Sequence, residues 1–550
     1  MKKIIMVLPL LATLFDTAMA QGIQLKTGTD NVMVMLDGKR MSGDWRVAPE
    51  INPDILETTA GEIAFISDKD TLVFKLGEWE SKSFDILTQH GDTSHVLVKR
   101  SAVNPFENPN PELLKVAASG MLTREQAKFD IDALLYALSQ IHIDIFSVCS
   151  QEDFFRAVNR AVESLPDSVS HVELYRRLAP IVAMIGDGHT NLGFPFNSVF
   201  TKETKRLPVF FEVLADRSLV CTACIDSVIP EGARILGING MKTDEMLDSM
   251  MPFVSGERPH FKLSRINYVF TALFQMLYAA DSYNVEYLPD GMKKPLFYTF
   301  PAVAYEEMGK RLPRTKASKK QPAYSFSIDS INNVAVMDFR SFSSPDRMRH
   351  FADSMFTALR SRGIGNLIID LRNNGGGNSI VGDILLRYIS PKPFVQMDKV
   401  IIKITPLTMK LQGSGSGMKP FGFFEIKEDE YIKPLTEKEG HYCGKVYILT
   451  SNHTFSSAAD FSWAFKECGV GTVIGEETGG MNVCYGDILN YRLPVSKLSC
   501  SVSYKRFWGV HADEKDIHGT IPDVAVKAAD AMEAAMKLVK KNKRRCNISR

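Results

Sequence analysis

Hydrophobic and polar positions change period several times along the 550 residues, and each change predicts a different kind of element. Between residues 21 and 100, short apolar runs alternate with turn residues, as in NVMVMLDGKR, TLVFKLGEWE and SHVLVKR. Such runs predict strands, and their spacing predicts a small β-sandwich over residues 21–110. A stretch rich in proline and asparagine, residues 104–111, closes it. Apolar residues then recur at three and four positions in TREQAKFDIDALLYALSQI and HVELYRRLAPIVAMI, which predicts a helical part over residues 120–200. Thr123, with Gln126 three positions on, has the spacing of a capping box. These helices run into GDGHTNLGF, a glycine-bounded turn.

Residues 205–300 return to strand-like patterning around PEGARILGING, which reads as a proline-glycine turn, a buried strand and an Asn-Gly turn before a short helix. Over residues 320–530 the apolar runs NLIIDL, KVYILT and GTVIGEE alternate with the helically spaced SIVGDILLRYI and SSAADFSWAFKEC. Continuous apolar strands between helices predict a parallel sheet covered on both faces. Right-handed crossovers then bring every strand's C-terminal end to one edge, where ligands of such sheets bind. A closing helix and basic tail are expected over residues 531–550. The fold class is multidomain α+β.

Composition narrows the functions open to this chain. It is 45% hydrophobic and 23% charged, an ordinary globular balance with room for three or four domains of about 150 residues. A net charge of +1 gives no reason to expect nucleic acid as a partner, and the basic run at 540–545 reads as a solvated helix end. MKKIIMVLPLLATLFDTAMA has two lysines, an apolar run and Ala18-Met19-Ala20 as a small-x-small site. It predicts a signal peptide over residues 1–20, a mature chain from Gln21 and a periplasmic or secreted location. The run is too short to span a bilayer and none follows it, so no integral membrane anchor is expected. Eight cysteines are scattered without a framework. Cys221-x-x-Cys224 lies in a strand-like stretch, whereas a redox pair opens a helix. No metal-ligand spacing occurs, so neither metal nor cofactor is expected.

Chemistry gathers at the strand ends. DLRNNGGGN follows NLII directly, and three glycines there leave backbone N–H groups uncovered, as an oxyanion requires; a tight structural turn explains the same residues. Ser456 and Ser457 stand between KVYILT and a helix, at the positive end of its dipole. A serine so placed can act as a nucleophile or as a plain N-cap. His453 is the nearest imidazole in sequence, but nothing beside it sets its tautomer. His189 sits in the glycine-bounded turn, and triads are assembled by the fold, not by sequence spacing. HADEKDIHGTIPDV offers Asp513, Glu514 and Asp516 as orienting carboxylates.

DLRNNGGGN, TFSSAADF, IGEETGG and GTIPDV, in this order, resemble the S41 peptidases, the C-terminal processing and tricorn-like serine proteases. IGDGHT is similar to the histidine turn of the tricorn-like branch, and PEGARILGING to the family's PDZ domain. The resemblance spans about residues 120–530. It implies a PDZ-like domain at 205–300 and an α/β core of crotonase/ClpP type at 320–530. It also implies Ser456 as nucleophile, His189 as base, Asp516 as acid with Glu514 as its alternative, and Gly375 or Gly376 with Ser457 as the oxyanion hole. The expected activity is endopeptidase action on extended or unfolded polypeptides. Three positions depart from the pattern. Met481 replaces the lysine of the serine-lysine branch, Ala459 an acidic residue, and Gly188 the serine before the histidine. A decayed peptide- or ligand-binding protein and an acyl-CoA enzyme of crotonase type are the alternatives, the second disfavoured by the export signal.

Overall fold

The computed structural model describes residues 5–6, 24–29, 31–41, 45–46, 54–58, 60–76, 81–89, 91, 93–100, 106, 109–312, 321–413, 422–427 and 430–548. Of the leader-like residues 1–20, all but Ile5–Met6 lie outside the described residues; that pair bonds as a short strand to Phe424 and Glu425. The chain divides into two compact units, residues 9–114 and residues 1–8 with 115–550.

In residues 9–114, one sheet orders its strands Gln24–Lys26, Ser81–Leu87, Thr93–Arg100 and Asp54–Thr58. A second sheet runs Lys39–Arg40, Asn31–Leu36, Glu62–Ile66 and Thr71–Lys75. Alternate residues of both sheets, among them Leu25, Val34, Phe65, Phe84 and Val96, meet in one core. The period-two pattern puts successive side chains on opposite faces, so one face is apolar.

The larger unit opens with helix α1 (Arg124–Ile141), whose capping box forms as its sequence predicts. Gln126 N–H donates to Thr123 Oγ1 at 3.2 Å, and Thr123 N–H donates to Gln126 Oε1 at 2.9 Å. Buried Asp130 on α1 accepts the backbone N–H groups of Val495 at 2.8 Å and Ser496 at 2.7 Å, joining residues 365 apart in sequence. Helix α2 (His171–Ala183) ends at the turn carrying His189. An antiparallel sheet follows in the order Val209–Val213, Leu219–Cys224, Arg234–Ile238, Ser282–Leu288 and Leu296–Pro301. Cys221 and Cys224 are buried in it as free thiols. Helix α3 (Pro259–Tyr278) starts on a proline and packs on the first of these strands.

The last third builds the sheet that carries the site. Its strands lie in the order β1 (Tyr324–Asp329), β2 (Val334–Phe339), β3 (Asn366–Asp370), β4 (Lys445–Thr450), β5 (Thr472–Gly475) and Val524–Ala525. All neighbours after β1 and β2 pair in parallel. Both faces are covered, which is why the strands read as unbroken apolar runs. Leu367, Ile369, Ile448 and Val473 pack under helices Pro345–Ser361, α4 (Ile380–Ile389) and α5 (Ser457–Glu467). Ile368, Leu449 and Ile474 pack under Ala531, Ala535 and Val539 of the last helix, Ala531–Ile548. Parallel pairing brings the turns after β3, β4 and β5 to one edge.

A second sheet supplies the distant partner. Strand β6 (Val483–Arg492) pairs with β7 (Ser499–Gly509), and β7 also pairs with Asn191–Leu192, just past His189. Gly193 N–H donates to Ser499 O at 2.6 Å. Among the described residues, no helix is long and apolar enough to cross a membrane.

Candidate active site

The turn after β4 is laced to the turn after β3 by its own side chains. Thr454 Oγ1 donates to Leu371 O at 2.9 Å, Ser451 Oγ donates to Arg372 O at 2.5 Å, and Phe455 N–H donates to Asn374 O at 3.1 Å. Ser456 then takes φ 52° and ψ −136° before α5 starts. A side-chain-bearing residue held there stores about 1–3 kcal/mol of backbone strain, which the lacing must sustain. Ser456 makes no side-chain cap bond, so the N-cap reading of its hydroxyl does not describe it. Ser457 is the tethered one: its Oγ donates to Gly377 O at 2.8 Å and lies 3.1 Å from Ser379 Oγ.

The glycine turn meets this serine closely. A β-carbon on Gly376 would fall 2.7 Å from Ser456 Cβ and 2.8 Å from Ser457 N, and its φ of +97° also favours glycine. Gly376 is therefore the opening through which the Ser457 amide is reached. The Gly376 amide itself donates to Asn374 Oδ1 at 2.9 Å. The Gly375 and Ser457 amides have no acceptor among the described residues.

His189 is brought to this turn from the other end of the unit. Its ring stacks on Phe455 with centroids 4.4 Å apart, and Phe455 stacks on Phe261 of α3 at 4.2 Å. Ser456 and His189 are not hydrogen-bonded to each other, which is common before a substrate draws such pairs together. Behind the ring lies fully buried Asp187. Its Oδ1 accepts the His189 N–H at 2.8 Å and stands 3.7 Å from Nδ1. Its Oδ2 accepts from Thr190 Oγ1 at 2.5 Å and Ser503 Oγ at 2.6 Å, and lies 3.3 Å from His142 Nε2. Burial acts to raise the Asp187 carboxyl, and the bonds and charges of His142 and His189 overcome it, holding it well below the usual range. Burial pulls the His189 imidazole down, but Asp187, Glu257 and Asp460 raise it on balance. Burial pushes the Glu257 carboxyl up to about 7 and that of Asp460, one turn along α5 from Ser456, up to about 7 as well. Asp187, His189 and Glu257 offer ligand atoms within 4.8 Å of one another, a donor set able to hold a divalent ion.

The other sequence-derived candidates fall differently. Asp516 is 80% exposed, with Oδ2 3.8 Å from His518 Nε2, and Glu514 is paired with Arg506 at 2.9 Å. The carboxylates behind the imidazole are Asp187 and Glu257. Most of the loop at 511–518, with Asp516 and Glu514, is exposed. His453 turns away from Ser456: its ring meets Tyr268 edge-on at 5.6 Å, burial lowers its pKa, and it lines a cavity of about 700 Å³ with His260, Arg372 and Glu476. Ala459 is buried where a β-carbon on Gly480 would come within 2.6 Å of its own, so the space for a longer side chain there is filled. Met481 is buried and bridges to Gly519. Asp187 lay inside a motif already singled out; Glu257 carries no local signal.

Comparison with known proteins bears on the same region. Residues 333–526 match the family model described as peptidase family S41. In structure the chain is similar to mature CPAF, at 14% identity and a TM-score of 0.54 over 76% of this chain and 97% of that one. It is also matched to the photosystem II D1 C-terminal processing protease, at 13% identity and a TM-score of 0.37 over 75% and 97% of the two chains. A putative S41 protease from Bacteroides fragilis gives 12% and 0.34 over 75% and 97%. The CPAF likeness is one of fold, and the two lower scores carry no argument. The family match covers β2 to Val524–Ala525, with the glycine turn, Ser456 and α5 inside it. Residues 333–526 match peptidase family S41, and this match supports a serine peptidase.

Proposed function

We propose that the chain is an exported endopeptidase that cleaves extended or unfolded polypeptides through an acyl-enzyme on Ser456, with His189 as general base, in the manner of the tricorn-like branch. The observation that carries this is the Ser456 turn: an untethered hydroxyl on a strained backbone, with the open Ser457 amide reached across Gly376. Ser456 Oγ bonds to the peptide carbonyl carbon as its proton passes to His189 Nε2, and the carbonyl electron pair moves onto oxygen. The Ser457 and Gly375 amides receive that oxyanion, each donor contributing about 3–4 kcal/mol in comparable sites. Collapse breaks the C–N bond, and the imidazolium returns the proton to the leaving amine. Water repeats the sequence on the ester and releases the acid. A cavity of about 700 Å³ is lined by Glu212, Val213 and Leu214 together with Ser451, Asn452 and His453, which supports an extended chain lying against the domain at 205–300. The domain at 205–300 acts as a PDZ-like strand acceptor for the substrate.

A fluorophosphonate probe and casein digestion test this on the purified chain. Labelling at Ser456 and casein hydrolysis are expected, both lost in Ser456→Ala and His189→Ala and kept in His453→Ala. An unlabelled, inactive wild type would instead support a binding protein on a peptidase fold. Export is tested by fractionating cells and sequencing the mature N-terminus, expected at Gln21; a retained full-length chain sinks that part.

A further inference from the structure

We propose that Glu257 is the positioning residue of the His189 base, its carboxylate occupying the place that Gly188 leaves open by lacking a side chain. This rests on the reading of Ser456 and His189 as the reacting pair. Gly188 N–H donates to Glu257 Oε1 at 3.0 Å. A β-carbon on Gly188 would come 3.0 Å from Glu257 Oε2, 2.6 Å from the Phe261 ring and 2.9 Å from that of Phe455. The serine of the related motif therefore has no room here, and a carboxylate from a different element fills its space.

The acceptors around His189 are unequally committed. Asp187 Oδ2 serves Thr190, Ser503 and His142, and Oδ1 serves the His189 backbone, so this carboxylate holds the turn together. Glu257 Oε2 and His189 Nδ1 are both buried and both without a hydrogen-bond partner. An acceptor and a ring nitrogen left open in one cluster are complementary. A small closing movement lets Nδ1–H donate to Oε2, which fixes the tautomer with Nε2 free for Ser456. The segment carrying Glu257 leads directly into α3, whose Phe261 stacks on Phe455 and through it on His189. One element thus sets both the carboxylate behind the ring and the packing on its face.

Glu257→Gln keeps an acceptor for Gly188 N–H and removes the charge. Two readouts apply: the fluorophosphonate labelling rate from pH 5 to 9, and the His189 ring ¹⁵N signals in Ser456→Ala protein, assigned by their loss in His189→Ala. The charged or titratable groups facing Glu257 are Asp187 and His189 on the turn, Lys262 and Arg265 on α3, and Cys484 on β6; Asp460 faces His189. In Glu257→Gln, labelling at pH 7 is expected to fall tenfold or more, the base limb to move to lower pH, and the single Nδ1–H tautomer to become a mixture. Glu257→Asp, with the carboxylate drawn back, is expected to fall between the two, and it decides the matter if the glutamine variant does not fold. Unchanged tautomer and limb in either folded variant overturn the assignment. Because the ring signals are read without the nucleophile, an inactive wild type sinks the proposed function while leaving this test standing.

Discussion

Gly376 lies so close against Ser456 that a β-carbon on the glycine would stand 2.7 Å from the serine's own. Gly376→Ala should therefore close the approach to the Ser457 amide. Labelling is expected to drop by about 10²–10³-fold, the loss that follows removal of one oxyanion donor. Gly375→Ala, with nothing within 4 Å of its β-carbon position, is expected to lose less labelling than Gly376→Ala.

The acid assignment is open to a direct comparison. Asp516 is largely exposed, Glu514 is held by Arg506, and Asp187 is fully buried behind the imidazole. Asp516→Asn and Glu514→Gln should leave kcat/KM on casein within about threefold, as surface changes do. Asp187→Asn should lower it by orders of magnitude and reduce stability, because the replaced oxygen must still meet the hydroxyls of Thr190 and Ser503.

Restoring the serine of the related motif should do harm. In Gly188→Ser the new β-carbon meets the Phe261 and Phe455 rings at 2.6 and 2.9 Å, and both rings belong to the stack that holds His189. A lower Tm and at least tenfold slower labelling are expected; faster turnover would contradict the packing argument.

Asp460 makes stability depend on pH in a definite sense. Burial raises its folded pKa to about 7 from 3.8, so between about pH 4 and 7 the native state keeps a proton that the unfolded chain has released. This contribution falls as pH rises through that window, and the whole penalty stands above it. Asp460→Asn should therefore stabilise the protein at pH 8, on the order of 3 kcal/mol after allowing for partial exposure, and have little effect near pH 4. Urea unfolding midpoints at the two values check the sign.

Local pattern was enough for many of the elements and for the turns that carry the candidate residues. Unbroken apolar runs at 366–371 and 445–450 require burial on both faces, and that alone implies a parallel sheet with its turns at one edge. The Thr123 capping box needs only residues three apart. The Ser456 turn and the glycine turn were legible as turns because each is a short segment whose backbone conformation depends on its own residues. The exposure of Asp516 and Glu514 on the 511–518 loop was not legible, since a count of positions carries no information about which way a loop runs.

What the chain determines by itself is thus the set of strands and helices, the turn that presents Ser456, and the histidine turn as an isolated piece. Tertiary structure alone decides which groups surround the imidazole. The β7 pairing with Asn191–Leu192 carries His189 to Ser456 across more than half the larger unit, and α3 delivers Glu257 and Phe261 to the same ring. The physical reason is range: periodicity and capping act over three or four residues. The charge around His189 comes from Asp187 in its own turn and from Glu257 and Asp460, and these last two are brought to it only by long-range packing.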